Sequence, residues 1–366
     1  MKNFLVFFIQ IIAVSSLIAQ DIKIGPRPQE PIEPYPYIAE EVKFQNKEAN
    51  ITLSGTLTLP KSQTDFPVVV LISGSSPHNR NEEIAGHKPF LVIADYLTRN
   101  GIGVLRYDDR GIGQSGGKYE IAAYNDRTSD VESAIAYLKT RKEVNSKKIG
   151  LIGHSEGGLI AALVAEQSKD VNFIILMAAP GLTGYDMVLL QTEISNKTAG
   201  TNEAEIQKKV ALLRCIFDIA LNSDNLEESK STLTDSLLNQ IKKHPEQFQE
   251  GLSAEDINQM VETFTASWFQ RILKSNPDAS LRNVECPVMA INGGKDMQIL
   301  PKENLNAIRN ALVKGGNEKV TIMELPNLNH LFQEAQTGLT EEFSTIEQTF
   351  SPIALKEIVN WIRNNN

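Results

Sequence analysis

Short β-branched runs alternate with helical patterns along most of this sequence, and this alternation limits the possible fold more than any other feature. The run FPVVVLISG at 66–74 is continuous and apolar, and the helical pattern HKPFLVIADYLTRNG at 87–101 follows it. IGVLRYDDRG at 102–111 is the next strand-like run, and SDVESAIAYLKTRK at 129–142 is the next helical pattern. Apolar strands separated by helices are typical of a parallel sheet covered on both faces. The sequence therefore predicts an α/β fold with a mostly parallel sheet.

Two strand-like runs precede this alternation, and two more follow a long interruption. EVKFQN at 41–46 and ITLSGTLTLP at 51–60 come first, and the alternating polar and apolar residues of the second predict a half-exposed hairpin strand. Strand patterns resume at 286–296 and 320–332. Ser351 followed by Pro352 then predicts the start of a final helix, because serine caps helices and proline suits the first helical position.

The interruption predicts a helical insertion. Between about 185 and 275 the sequence shows helical patterns and no strand signal. We therefore expect a signal peptide at 1–20, a first core segment at 21–184, a helical cap at 185–275 and a second core segment at 276–366. A lid over an active site is one interpretation of the insertion, and an independent second domain is the other.

The first twenty residues differ from the rest of the chain. Lys2 precedes a mostly apolar run from Phe4 to Leu17, and small and polar residues continue to Ala19. This order is typical of a secretory signal peptide, and the run is short for a membrane-spanning helix, which needs about 20 apolar residues. We therefore expect an exported protein, periplasmic or secreted, with no stable membrane anchor after cleavage. An uncleaved anchor is the alternative.

Charge and cysteine content limit the partners. The formal net charge is −9 and there is no basic stripe, which argues against nucleic acid as a partner. The two cysteines, Cys215 and Cys286, lack the spacing of a metal site. A disulfide between them is possible in an exported protein, but Cys286 precedes Pro287 at the start of an apolar run, which favours a buried free thiol. The sequence predicts no metal and no cofactor, and it does not indicate an oligomeric state.

The stretch KKIGLIGHSEGGLIAALVAEQ at 147–167 places one serine between a strand pattern and a helical pattern. Ser155 lies in the motif G-x-S-x-G, between Gly153 and Gly157. Glycines at both positions let the strand and the helix approach closely, and a sharp bend lifts the serine hydroxyl clear of the sheet. The motif therefore predicts that Ser155 is a nucleophile.

Two further polar residues follow later strand patterns. Asp296 ends AINGGKD, and His330 follows the next strand in LPNLNHLF. Because the carboxyl ends of parallel strands meet at one edge of a sheet, we expect both side chains near Ser155. A serine hydroxyl becomes nucleophilic when an imidazole takes its proton, and a carboxylate orients that imidazole. The order Ser155, Asp296, His330 therefore predicts a catalytic triad of the α/β-hydrolase type.

Residues 41–181 and 284–366 resemble the α/β-hydrolase superfamily, in particular secreted bacterial esterases with a helical cap. The similar stretches are GTLTLP, LISGSSPHNRNE, HKPFLVIADYLTRNG, LRYDDRGIGQSGG, IGLIGHSEGGLIA, AINGGKD and LNHLF. The resemblance implies an α/β-hydrolase fold with an inserted helical cap. It also implies a serine hydrolase that cleaves a small-molecule carboxylic ester through an acyl-enzyme and needs no cofactor.

The resemblance further implies an oxyanion hole made of two backbone N–H groups. One follows the nucleophile and is expected at Glu156; the other comes from the loop after the first core strand. That loop is SGSSPHNR, and we expect Ser75 to supply the second donor, with Ser76 as the next candidate. Related sequences usually have Gly-Ser-Gly-Pro here, whereas this chain has a side chain at Ser76, which leaves the backbone donors in place.

Two other functions remain open. A peptidase of the same fold would cleave short peptides at a free terminus, and it would need a group such as Glu82 or Glu83 to capture that terminus. A non-catalytic binding protein on a hydrolase scaffold would commonly lack one member of the triad. The sequence indicates neither the natural substrate nor its acyl size.

One glycine motif is a candidate nucleotide site that we reject. GIGQSG at 111–116 matches G-x-G-x-x-G, but such a motif should open directly into a helix. The next helical pattern begins near Ser129. We therefore expect a glycine turn here, with Asp108, Asp109 and Arg110 in local ion pairs.

Several other side chains have two possible roles. His154 adjoins the proposed nucleophile, and we expect it to be a packing residue that points away from the serine. His78 and His87 are candidates for substrate contacts. Trp268 and Phe269 in the insertion line an acyl pocket in one interpretation and pack between helices in the other.

Overall fold

The fold is described from a computed structural model of the chain. The described residues are 27–61, 64–119, 122–222, 226–243 and 253–365. The predicted signal peptide at 1–20 lies outside them. In these ranges no helix is both long enough and apolar enough to cross a membrane.

The described residues divide into two compact units. One unit is Thr183–Asn276, and its described regular elements are all helices. The other unit combines 27–182 with 277–365 and holds the sheet. The second unit is therefore discontinuous in sequence, because the chain leaves it after Leu182 and returns at Pro277.

The larger unit is built on an eight-stranded sheet in the order β1-β2-β4-β3-β5-β6-β7-β8. Its strands are Ile38–Asn46 (β1), Ile51–Leu59 (β2), Val68–Ile72 (β3), Gly103–Tyr107 (β4), Ile149–His154 (β5), Phe173–Met177 (β6), Val288–Gly293 (β7) and Val320–Leu325 (β8). β1 and β2 form an antiparallel hairpin, and β2 pairs antiparallel with β4. The remaining neighbours pair in parallel. The predicted mostly parallel sheet is confirmed.

The helices follow the strands in alternation except in the insertion. They are Pro89–Arg99 (α1), Tyr124–Thr140 (α2), Glu156–Gln167 (α3), Gly184–Thr198 (α4), Glu203–Asn222 (α5), Leu226–Lys243 (α6), Ala254–Thr265 (α7), Ser267–Lys274 (α8), Pro277–Leu281 (α9), Pro301–Lys314 (α10) and Pro352–Asn364 (α11), with short 3₁₀ turns at Ser146–Lys148 and Thr340–Glu342. The final helix begins as predicted, since the Ser351 hydroxyl accepts a hydrogen bond from the Ile353 N–H at 3.3 Å.

Each face of the sheet has its own hydrophobic core. All five residues of β3 are buried, and their side chains alternate between the two faces. Val68 and Val70 pack in the layer that contains residues of α2, α3 and α10. Val69 and Leu71 pack in the layer that contains residues of α1 and α11. A strand covered on both faces explains why this run is apolar throughout instead of alternating.

Strand β2 is more buried than its alternating sequence predicts. The half-exposed prediction is wrong because β2 lies inside the sheet, between β1 and β4. Its polar side chains are buried with hydrogen-bond partners: Thr56 Oγ1 donates to Glu41 Oε1 at 2.7 Å, and Thr58 Oγ1 lies 2.7 Å from Thr98 Oγ1. Paired hydroxyl groups can be buried at little cost, so alternation alone did not reveal the burial.

Helix α2 begins at Tyr124, about one turn before the predicted start near Ser129. The Asp126 carboxylate accepts a hydrogen bond from the Ala123 N–H at 2.8 Å and so caps the earlier start. This extra turn contains Arg127, which is buried. The polar residues of this turn made it look like a loop in the sequence.

The helical unit has an aromatic core of its own. The rings of Phe217, Phe264 and Phe269 contact one another with centroids 5.5–6.1 Å apart, and each ring is buried. Trp268 is only half-buried and meets the Phe269 ring edge-on at 5.5 Å. These contacts favour the packing interpretation for Phe269 and leave Trp268 as the more accessible aromatic side chain.

Both cysteines are free thiols. Cys215 and Cys286 are each half-buried and form no disulfide. Burial raises the pKa of the Cys286 thiol to about 12, so this thiol stays protonated at neutral pH. The expectation of a free thiol at Cys286 is confirmed.

Candidate active site

Ser155 lies at the bend between β5, which ends at His154, and α3, which begins at Glu156. Its backbone has φ 53° and ψ −124°. Non-glycine residues rarely adopt a positive φ, and such strain is concentrated at functional sites. The Ser155 N–H donates to the Met177 carbonyl at 2.8 Å, which ties the bend to strand β6. The predicted sharp bend at this serine is confirmed.

The two glycines of the motif are required by close backbone approach. A Cβ atom on Gly153 would lie 2.1 Å from the Gly157 carbonyl oxygen, and a Cβ on Gly157 would lie 2.2 Å from the Ile72 carbonyl oxygen. Both distances are far below van der Waals contact. Only glycine at both positions therefore lets α3 start this close to β5 and β3.

Asp296 and His330 form a hydrogen-bonded pair. His330 Nδ1 lies 2.8 Å from Asp296 Oδ2, and both side chains are buried. The other carboxylate oxygen, Oδ1, accepts hydrogen bonds from the backbone N–H groups of Gln298 and Ile299, each at 2.8 Å. Since both oxygens are engaged, the carboxylate has one fixed orientation. Nδ1 is thus the ring nitrogen engaged by Asp296, and Nε2 takes no part in this hydrogen bond.

Buried hydrogen bonds hold the loop that carries His330. Asn329 is fully buried, and its Oδ1 accepts from the N–H groups of Leu331 and Gln333 at 3.0 and 2.9 Å. The Lys295 N–H, which precedes Asp296, donates to the Leu328 carbonyl at 2.9 Å. The two loops after β7 and β8 are thus fastened to each other beside the Asp296–His330 pair.

One contact places this pair beside the serine, and a second places the loop after β3 there. The imidazole rings of His154 and His330 have centroids 4.8 Å apart, and His154 is the residue immediately before Ser155. A Cβ on Gly74 would lie 3.6 Å from the Ser155 Cβ, so the loop after β3 borders the same point. The structure therefore brings all three predicted residues and the Ser75 loop to one edge of the sheet.

The loop after β3 presents a backbone donor. The Gly74 N–H donates to Glu82 Oε1 at 2.8 Å, and the Ser75 carbonyl accepts from the Tyr119 hydroxyl at 2.8 Å. Within the described residues the Ser75 N–H has no hydrogen-bond acceptor. The Ser75 N–H is therefore free to bind a ligand oxygen, whereas the Gly74 N–H and the Ser75 carbonyl are each held by a hydrogen bond within the protein.

A buried polar cluster connects this loop to Glu156. Arg127 donates to Glu156 Oε2 at 2.7 Å and to the Ser73 carbonyl at 2.8 Å. The Ser73 hydroxyl donates to the Asp109 carboxylate at 2.7 Å, and the His78 N–H donates to the same carboxylate at 2.9 Å. Burial raises the pKa of Asp109 to about 6, against the effects of Arg127 and these donors. The cluster fixes the loop after β3 relative to the residue that follows the nucleophile.

The sequence revealed this cluster only in part. The expectation of local ion pairs at 108–110 is confirmed for Asp108, which pairs with Arg80 at 2.8 Å, and for Arg110, which pairs with Asp130 at 2.8 Å. Asp109 instead holds the loop after β3. Arg127 was missed because its turn of helix was taken for a loop.

His154 and Glu82 form a buried pair. His154 Nδ1 lies 3.0 Å from Glu82 Oε1, and His154 Nε2 lies 3.0 Å from the His330 carbonyl oxygen. His154 is buried, as expected of a packing residue, but packing is not its whole role, because both ring nitrogens also have polar partners. Glu82 is 1% exposed, so the idea that it captures a peptide terminus is wrong. Glu83, by contrast, is exposed and bonds to Asn79.

The two remaining candidate histidines are buried. His87 Nδ1 lies 2.9 Å from Thr349 Oγ1 and its Nε2 lies 2.9 Å from the Phe343 carbonyl oxygen, so His87 joins two core segments and does not face a substrate. Burial lowers the pKa of His78 to about 4, and Arg127 and His154 lower it further against the effect of Glu82. Both side chains are therefore uncharged at neutral pH.

The described residues hold no group of three or more His, Cys, Asp or Glu side chains arranged to bind a metal ion. The polar groups at the site instead pair with each other or with backbone atoms.

Comparisons with known proteins show what this chain is similar to. The chain is 26% identical over 328 residues to Esterase EstD of Thermotoga maritima, covering 89% of this chain and 69% of that protein. A hypothetical protein from Pseudomonas aeruginosa has a similar structure, with a TM-score of 0.56, 16% identity and coverage of 92% of this chain and 96% of that one. An esterase from Pyrococcus furiosus aligns with a TM-score of 0.53 and 15% identity over 90% of each chain.

At these identities the two solved structures show a shared fold, and the predicted α/β-hydrolase fold is confirmed. A family model described as "Serine aminopeptidase, S33" matches residues 88–334, which include Ser155, Asp296 and His330. The matched range is more than half of the chain. The chain therefore belongs to this family of α/β hydrolases.

Proposed function

We propose that this protein is a serine hydrolase that cleaves small carboxylic esters through an acyl-enzyme. Ser155 is the nucleophile, His330 is the general base and acid, and Asp296 orients His330. The observation that carries the proposal is the 2.8 Å hydrogen bond between His330 Nδ1 and Asp296 Oδ2, at the same sheet edge as the strained serine. The similarity to Esterase EstD supports an ester as the substrate class.

The proposed reaction has two halves. In the first half the Ser155 oxygen attacks the ester carbonyl carbon while His330 Nε2 takes the hydroxyl proton. The tetrahedral intermediate then collapses, and His330 gives that proton to the departing alcohol, which leaves Ser155 acylated. In the second half a water molecule gives its proton to His330 Nε2 and attacks the acyl carbon, and Ser155 regains a proton as the acid is released. Asp296 stabilises the imidazolium that forms in each half.

The negative oxygen of each intermediate needs donors that are already in place. We assign this role to the backbone N–H groups of Ser75 and Glu156. The cluster of Arg127, Ser73 and Asp109 supports the assignment, because Arg127 joins the Ser73 carbonyl to the Glu156 side chain and Asp109 accepts from the His78 N–H. Donors held in advance do not have to reorganise when the charge develops.

The family's description names an aminopeptidase, so a peptidase remains the second candidate. A peptidase of this kind would bind the charged terminus of a peptide. Burial removes Glu82 from that role, which leaves exposed Glu83 as the carboxylate that the sequence pointed to. A screen of p-nitrophenyl esters beside aminoacyl and dipeptide amides separates the two functions.

Covalent labelling tests the proposed nucleophile directly. A fluorophosphonate probe should label the protein at Ser155, and Ser155→Ala should abolish labelling and lower kcat for esters by about 10⁶-fold, since triad members act as a unit. Ser168→Ala, at the other end of α3, is the matched control and should label normally. Near-native ester hydrolysis by Ser155→Ala would overturn the proposal.

A further inference from the structure

Both ring nitrogens of His154 face hydrogen-bond acceptors. Nδ1 faces the Glu82 carboxylate at 3.0 Å, and Nε2 faces the main-chain carbonyl of His330 at 3.0 Å. The same Glu82 oxygen, Oε1, also accepts the Gly74 N–H at 2.8 Å. His154 and Glu82 thus join three segments: the loop after β3, the end of β5 and the loop that carries His330.

The positions of these partners determine how many protons His154 and Glu82 carry between them. A neutral imidazole has one donor and one acceptor nitrogen, so it cannot donate to both partners. A carbonyl oxygen carries no proton, and Nε2 must therefore be protonated. Nδ1 then meets Glu82 either as a donor to a carboxylate or as an acceptor from a carboxylic acid. The first arrangement is an ion pair and the second is a neutral pair.

Electrostatics favours the ion pair. Burial alone would lower the pKa of His154, but the charge of Glu82 and the hydrogen bond to it raise that pKa above the ordinary 6.5, with help from the His330 carbonyl and Asp296. Burial alone would raise the pKa of Glu82, but His154, His78 and the Gly74 N–H bring it below the ordinary 4.5. The two directions agree, and both place the proton on His154.

We infer that Glu82 and His154 form a buried carboxylate–imidazolium pair that acts as a positioning unit for the catalytic loops. The pair holds the Gly74 amide beside the proposed oxyanion donor, and it holds the main chain of the proposed base. Neither side chain touches the reacting atoms, so these are positioning residues. The inference rests on the proposed function for its kinetic consequences, but the charge state of His154 does not depend on that function.

The backbone at Glu82 supports a functional reason for the pair. Glu82 has φ 49°, a left-handed conformation that is strained for a non-glycine residue. Buried ion pairs also contribute little net stability, because desolvation offsets most of the attraction. A strained residue that carries a buried charge is hard to explain by stability alone.

The pair implies a loss of activity at alkaline pH. Five groups face His154: Glu82 and Asp296, which favour its charge; His78, which is uncharged at neutral pH; the His330 main chain, which accepts from it; and the His330 ring, whose centroid lies 4.8 Å from that of His154. A pKa raised on folding means that the interaction is complete below pH 6.5 and is lost as the pH rises through the folded value. When His154 loses its proton, one of its two hydrogen bonds must break.

Ring ¹⁵N NMR tests the charge state without any substrate. The chain has 5 histidines, and single substitution to glutamine assigns each ring signal. At about pH 7 we expect His154 to show two protonated nitrogens and to titrate only above its ordinary range. His87 is the matched control: it is also buried with two ring partners, but the Thr349 hydroxyl can donate, and burial lowers the pKa of His87. A neutral His154 ring at this pH overturns the inference.

Glu82→Gln tests the positioning role. Glutamine keeps an oxygen for the Gly74 N–H but removes the charge, so the pKa of His154 should fall. We expect kcat for an ester to drop about 10- to 100-fold at neutral pH with KM changed less, because small misplacements of a catalytic group are costly. The alkaline loss of activity should also move to lower pH. Glu285→Gln, which removes an exposed carboxylate that pairs with Lys169 just before strand β7, should match the wild-type pH profile.

The outcomes separate this inference from the proposed function. A wild-type protein that neither hydrolyses esters nor reacts with a fluorophosphonate refutes the function, while the NMR result still decides the charge of His154. If Glu82→Gln lowers kcat by the same factor at every pH, with no shift of the alkaline limb, the positioning role of the charge is refuted. If Glu82→Gln does not fold, the wild-type enzyme decides, because its alkaline limb must coincide with the titration of His154.

Discussion

Replacing Asp296 by asparagine should disable the site by giving His330 the wrong tautomer. Asp296 Oδ1 accepts from two backbone N–H groups at 2.8 Å, and Oδ2 accepts from His330 Nδ1 at 2.8 Å. In Asp296→Asn only one atom remains an acceptor, and the two amides require it at the Oδ1 position. The side-chain NH₂ then points at His330 Nδ1, which must become an acceptor. The proton of His330 moves to Nε2, where it blocks proton transfer from Ser155.

The structure also indicates the size of the effect. Enforcing the wrong tautomer in a serine–histidine–aspartate site lowers kcat by about 10⁴-fold, which corresponds to about 5 kcal/mol of transition-state stabilisation. Stability should change little, because asparagine keeps the two backbone hydrogen bonds and the same shape. We expect the midpoint of thermal unfolding to stay within about 4 °C of wild type.

The assay is steady-state hydrolysis of a p-nitrophenyl ester, with thermal unfolding measured on the same preparations. Asp170→Asn is the control, since Asp170 precedes β6 and so lies at the opposite edge of the sheet, where it pairs with Lys139 in solvent. It should retain full activity. A well-folded Asp296→Asn enzyme that keeps more than about 1% of the wild-type kcat would refute the tautomer argument.

Two further predictions concern the helical insertion and the predicted signal peptide. The helical insertion follows β6, whose carboxyl end lies at the same edge as Ser155. We propose that the insertion selects esters by size. Trp268→Ala should then shift the preferred ester towards longer acyl or alkyl chains, while a fluorophosphonate still labels Ser155. An unchanged ester preference in Trp268→Ala would contradict this role. Phe269→Ala should instead destabilise the helical unit by about 3–5 kcal/mol, measured by thermal unfolding. We also propose that the protein is exported and that the mature chain begins near Gln20 or Asp21. Mass spectrometry of protein from the native host tests this, and a mass that includes residues 1–19 would contradict cleavage.

The features that the sequence predicted depend on local patterns. The bend at Ser155 follows from a strand run, two glycines and a helical run that are contiguous in the chain. Asp296 and His330 follow from one topological rule, that parallel strands end at a common edge. Neither step requires knowledge of which distant side chains meet. For the same reason the sheet and the final helix at Ser351 were also predictable.

The features that it did not predict depend on long-range partners. Glu82 lies 72 residues before His154, and Arg127 lies 54 residues after Ser73. No periodicity or motif indicates that such residues meet, because their contacts form only when the sheet is assembled. His154 was expected to be a packing residue because the side chain at this position of G-x-S-x-G points away from the serine, and its two polar partners come from other loops. Arg127 would have been a candidate if the first turn of α2 had been recognised.

The buried carboxylates around the bend at Ser155 also bear on the choice between an ester and a peptide substrate. Four carboxylates lie close to Ser155 in the core unit, Glu82, Asp109, Glu156 and Asp296, and all four are buried. Each is engaged by a described partner of the same unit: His154, the Ser73 hydroxyl, Arg127 and His330, respectively. Breaking such a buried pair to bind a peptide ammonium would leave another charge or donor without its partner, at a cost of several kcal/mol. These four carboxylates are therefore unsuited to capture a charged terminus, which supports the proposed ester substrate over a peptide with a free amino group.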